Sequence, residues 1–110
     1  MSHSEQDKMV RVLRKARALI EDKKRWTRGE YARDRWSHHV DPDDVRAVRW
    51  CALGALDRQI AAGSRVHMHL YMTALELYRS ESVSEINDDM GHKYVLKLYD
   101  RAIALAEQGE

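Results

Sequence analysis

Cys51 is the only thiol in this sequence and the side chain best suited to act as a nucleophile. Thiol chemistry needs the thiolate, stabilised by a helix N-terminus or a cation, and a base within hydrogen-bond reach. Apolar spacing puts Cys51 in the third turn of a helix, too far from its start for the dipole to act. No histidine neighbours it in the chain; His38, His39, His67, His69 and His92 approach it only through folding. Free cysteine most often packs as a small buried hydrophobe, and that is the expectation here. A thiol-dependent enzyme or redox-sensitive protein built on Cys51 is the alternative.

Metal chemistry has less support. His38 and His39 with Asp41, Asp43 and Asp44 form the densest group of ligand-type residues. Zinc spacing is missing, since one thiol stands alone and no H-x₃₋₅-H pair occurs. His67 and His69 fall about 200° apart on a helix, which is poor for joint ligation. We expect no metal and no cofactor. Asn87, Asp88 and Asp89 form an acidic corner that helix capping explains. Gly-rich phosphate loops, G-x-S-x-G and paired acid/base motifs are absent, so the sequence offers no positive case for an enzyme.

The basic residues could meet a partner. Residues 1–35 hold eleven Lys/Arg against six Asp/Glu, net +5, and residues 36–110 hold eight against twelve, net −4. Lys8, Arg11, Arg14 and Lys15 on the first helix, with Lys23, Lys24 and Arg25 after it, are the candidate partner-binding residues. Such a polarised chain either attracts an acidic surface or pairs its own two ends. Self-pairing or plain solvation is the expectation, and a nucleic-acid accessory role through the basic helix is a further alternative.

These residues must be held by helices. One Pro, five Gly and apolar recurrence at three-to-four spacing make helix the default, and nothing reads as a strand. The first helix is expected from Glu5 to Asp22 with Ser4 as N-cap, burying Met9, Val12, Leu13, Ala16, Leu19 and Ile20. Trp26–His39 reads as a loop or short helical turn. Asp41-Pro42-Asp43-Asp44 signals a helix start and Gly63 a stop, which predicts a buried central helix over about 45–62. On it, Ala47, Cys51 and Gly54 form a small-residue stripe for close backbone approach by a crossing helix or a second subunit. Arg49 sits beside its apolar face and needs a carboxylate, with Asp88 or Asp100 the best choices.

A third helix over Val66–Tyr78 turns Leu70, Tyr71, Ala74, Leu75 and Tyr78 inward. Ser82-Val83-Ser84-Glu85 has capping-box form and predicts a short helical turn through Ile86. Asn87 or Asp88 then caps a last helix that buries Tyr94, Val95, Leu98, Ala102, Leu105 and Ala106. The fold class is therefore all-α: four main helices plus a short helical turn, one domain over 1–110. A single Cys and a longest apolar run of seven residues, Trp50–Leu56, predict a reduced cytoplasmic setting and no membrane span.

Three segments together resemble a family of small bacterial and phage proteins, domain-of-unknown-function family 6197. They are Trp26-Thr27-Arg28-Gly29, Cys51-Ala52-Leu53-Gly54-Ala55-Leu56 and Val83-Ser84-Glu85-Ile86-Asn87-Asp88. The resemblance spans residues 13–106. Ile86 stands where the pattern has Trp, and Lys93 alone represents the basic residue that follows N-D. The resemblance implies a small helical domain and no particular activity. It marks Trp26, Gly29, Cys51, Asn87 and Asp88 as one spatial cluster, to which the stripe adds Gly54 and the central helix Arg49. The function expected is a non-enzymatic interaction or regulatory module that meets a protein partner or forms a homodimer, with nucleic acid the weaker partner class.

Overall fold

The computed structural model describes residues 2–109 and is predominantly α-helical. Helix α1 runs His3–Ile20. A 3₁₀ turn over Lys23–Arg25 leads to a two-residue strand, β1 (Ala32–Arg33), which pairs antiparallel with β2 (Arg49–Trp50) in the register Ala32–Trp50 and Arg33–Arg49. Helices α2 (Ala52–Gln59), α3 (Arg65–Tyr78), α4 (Val83–Glu85) and α5 (His92–Glu107) follow. A π-type turn over Ile86–Met90 joins α4 to α5.

The core lies where α1 crosses α2 and α5, with α3 closing the far side of α5. Leu13, Ala16 and Ile20 of α1, Leu56 of α2, Leu70 and Ala74 of α3, and Val95, Leu98 and Ala102 of α5 are fully buried there. Ser2, rather than Ser4, caps α1 by accepting from the Glu5 amide. Ser82 caps α4 through the Glu85 amide, as its capping-box sequence predicts.

The central helix departs most from expectation. It begins at Ala52, not near residue 45, and Val45 is 94% exposed. The Asp-Pro-Asp-Asp segment instead folds into successive turns, in which Asp44 Oδ1 accepts from the Arg46 amide at 2.8 Å. Residues 48–51 are drawn into extended pairing: the Val48 amide donates to Arg33 O and the Cys51 amide to Tyr31 O. Trp50 buries its ring and donates from Nε1 to Pro42 O at 2.9 Å. These long-range pairings outweigh a local helix signal of a few tenths of a kcal/mol per residue.

Two faces also turn differently. On α3, Val66, His67, Leu70, Thr73 and Ala74 are buried, while Tyr71 and Leu75 face outward. On α5, Tyr99 and Ile103 are buried, whereas Tyr94 is exposed and Leu105 half-buried. Gly91, with φ +108°, stands at the start of α5, so neither Asn87 nor Asp88 caps that helix.

Candidate functional site

Asn87 is drawn inside by the turn that follows α4 and is 1% exposed. Its Oδ1 accepts from Trp26 Nε1 at 2.7 Å and from the Ala52 amide at 2.9 Å. Its Nδ2 donates to Thr27 O at 3.0 Å and to Asp88 Oδ1 at 2.9 Å. One amide side chain thus ties the Trp26–Thr27 segment, the first turn of α2 and the α4–α5 connection together. It caps α2 from 35 residues away, where an unpaired helix-start amide would otherwise be buried. All four of its hydrogen-bonding positions are filled, which leaves none to hold a ligand.

Asp88 Oδ1 also accepts from the Gly29 amide at 3.0 Å. Gly29 takes φ +80°, a conformation that favours glycine. Above Trp26, the Arg28 guanidinium sits 5.0 Å from the ring centroid. From beneath α2, Tyr99 donates its buried hydroxyl to Ala52 O at 2.7 Å. Both backbone groups of Ala52 are therefore anchored by side chains distant in sequence.

Cys51 is the N-cap of α2 rather than a residue of its third turn, and its sulfur accepts from the Gly54 amide at 3.2 Å. A helix start would favour thiolate, yet burial dominates and pushes the thiol up to about 11. Amides of Gly54 and Leu53 oppose that shift, and the charges of Asp88 and Asp57 add to it. A cleft of about 200 Å³ opens between Gly29–Tyr31 and Ser84–Asp88, with Cys51 in its lining. No histidine lines it. The charged groups that act on the thiol, Asp88 and Asp57, are carboxylates, which oppose its ionisation.

The small-residue stripe is occupied by the chain itself. A Cβ on Gly54 would lie 1.8 Å from Tyr31 O and 2.7 Å from Tyr31 C. The approaching backbone belongs to the segment before β1, not to a crossing helix or a second subunit. Ala47, Cys51 and Gly54 are all buried, but they form no stripe on one helix: Ala47 precedes β2, Cys51 is the N-cap and only Gly54 lies within α2.

Trp26, Gly29, Cys51, Asn87 and Asp88 thus converge in one cluster. The profile described as a family of unknown function, DUF6197, matches residues 4–105. The chain belongs to this family. No curated protein and no solved structure matches it significantly.

The other predicted residues of this DUF6197 chain lie apart from the cluster. Arg49 finds neither Asp88 nor Asp100: it donates to Ser37 Oγ and to Asp34 O, and its Nε is buried without a partner. Pairing of Arg49 with Arg33 fixes its backbone in β2, where its guanidinium meets the Asp34–Ser37 turn. Asp100 instead pairs with Arg17 at 2.6 Å. Arg14 pairs with Glu107 at 3.0 Å, so basic α1 and the acidic C-terminal half do meet in two places. Lys8, Arg11, Lys15, Lys23 and Lys24 are exposed, and Arg25 stacks over Trp50 with its guanidinium 5.5 Å from the ring. His38 lies beside Asp34, and His39 pairs with Glu30 at 2.7 Å. Among the described residues, no three His, Cys, Asp or Glu converge closely enough for a metal. No helix of the described chain is long and apolar enough to cross a membrane.

Two features escaped the sequence reading. Buried His67 bonds Asp57 Oδ1 through Nε2 at 2.6 Å and Ser64 Oγ through Nδ1 at 2.8 Å. Ser64 also caps α3 by accepting from the His67 amide, so its hydroxyl is engaged on both sides as a structural joint. The second feature is an apolar outer face on α3. Met68, Tyr71, Met72 and Leu75 are 60%, 36%, 57% and 39% exposed. Their i, i+3, i+4, i+7 spacing was legible, but it competes with an equally apolar inner face on the same helix.

Proposed function

We propose that this protein is a non-catalytic interaction module whose working surface is the outer face of α3. The observation that carries this reading is the stripe of Met68, Tyr71, Met72 and Leu75, apolar and open to solvent in a chain with 34% charged residues. Contiguous exposed apolar surface of this kind marks interaction sites on small soluble proteins. Methionine suits such a surface, because its unbranched, polarisable side chain adapts to a partner. The reading also draws support from the polar centre, where Asn87 is saturated and Cys51 caps α2 with its thiol held up by burial.

A photo-crosslinking amino acid placed at position 72, and separately at position 15 on basic α1, tests the proposal in the producing cell. A discrete adduct from position 72 and none from position 15 is the expected result. Absence of any adduct from position 72 overturns it.

A further inference from the structure

Resting on the interaction-module reading, we propose that the partner on this face is a second copy of the chain, docked through an antiparallel, two-fold pair of α3 helices. A two-fold interface must be self-complementary, because one patch serves both sides. The α3 stripe meets that demand. With the axis between Tyr71 and Met72, Met68 of one copy lies opposite Leu75 of the other, and Tyr71 opposite Met72. Large apolar groups then meet at every level of the stripe.

Charge decides the direction. Arg65 and Glu76 flank the stripe at its two ends and are 11 residues apart, about three helical turns, so they share one side of α3. An antiparallel two-fold pair brings Arg65 of each copy towards Glu76 of the other. A parallel two-fold pair would place this side of the two copies on opposite edges of the seam, leaving neither charge a partner there, and would align the helix dipoles unfavourably. Within one chain, Arg65 pairs with Glu5 and Glu76 with Arg101, both as exposed pairs that contribute little alone and can be shared.

The stripe supplies about half the area that each partner of a stable interface buries. At their observed exposures, the four stripe residues offer on the order of 400 Å² of accessible surface. A stable interface buries about 800 Å² per partner and is somewhat more than half apolar at its centre. The stripe fills that centre, and Arg65, Glu76 and Arg79 supply a polar rim.

Sedimentation equilibrium of the purified full chain, from about 1 µM to 1 mM, reads the proposal directly. The expected mass rises from 12.9 kDa to twice that value. Met72→Asp weakens association at least about tenfold while leaving the circular dichroism unchanged, and leaves the melting midpoint unchanged only at concentrations where both proteins are single chains. Arg65→Glu and Glu76→Arg each weaken it about threefold to tenfold, and the double swap restores it. A single-chain mass at every concentration overturns the proposal, as does a dimer indifferent to Met72→Asp. Failure of the double swap to restore association overturns the antiparallel arrangement. A single-chain mass together with a position-72 adduct of some other size in cells removes the self-partner and leaves the interaction module standing; no adduct at all removes both.

Discussion

Replacing Asn87 by Ala should cost about 4 kcal/mol, because the amide oxygen is the sole partner of two buried donors. Trp26 Nε1 and the Ala52 amide both point at Oδ1, and both residues are buried. Stranding a buried donor costs about 1–3 kcal/mol, so the pair alone accounts for about 2–6 kcal/mol. The lost Nδ2 bonds matter less, since Asp88 is exposed and can turn to water. A water entering from the adjacent cleft would move the cost towards the low end. Against a typical stability of about 5–15 kcal/mol, the variant is a marginally folded protein, its melting midpoint lowered by about 15–20 °C. Guanidinium unfolding followed by tryptophan fluorescence measures this, because Trp26 and Trp50 are buried while Trp36 is exposed. Asn87→Asp adds a second arm. It keeps an acceptor for both donors but turns an oxygen on Asp88, which raises the new carboxyl's folded pKa above its unfolded value. The stability it retains is therefore present at low pH and lost as pH rises through that folded pKa. A loss below about 1 kcal/mol in Asn87→Ala, or an Asn87→Asp variant more stable at pH 7 than at pH 4, would refute the keystone role.

Two further variants follow from the same geometry. Gly54→Ala places a methyl 1.8 Å from Tyr31 O, backbone against backbone, and should cost at least about 3 kcal/mol by denaturant midpoint, whereas helix propensity alone would favour Ala. For Cys51, whose thiol is held up at about 11 against an ordinary 9.0, the neutral form is stabilised by folding. Stability from this group is complete below pH 9 and lost as pH rises from 9 towards 11, a fall that Cys51→Ala should lack. At pH 8 an alkylating probe should label Cys51 only after unfolding; rapid labelling of the native protein would contradict the burial argument.

The amino-acid sequence alone determines α1, α3 and α5 to within a few residues, together with the Ser82 cap. Each is written locally: apolar residues at the helical period, no proline inside and, for α1 and α3, a serine where the first amides need an acceptor. The family motifs also point to Trp26, Gly29, Cys51, Asn87 and Asp88, although they do not say what those residues do. Tertiary structure decides the rest. Asp41-Pro42-Asp43-Asp44 carries a sound helix-start signal, yet hydrogen bonds to Tyr31, Arg33 and Pro42 hold residues 48–51 extended and leave Cys51 as a cap. Which side of α3 faces inward is likewise unreadable in isolation, because Met68, Tyr71, Met72 and Leu75 match Val66, Leu70 and Ala74 in apolarity. Periodicity is a property of neighbouring residues, whereas the choice between two equally apolar faces is made by whatever the rest of the chain brings against them.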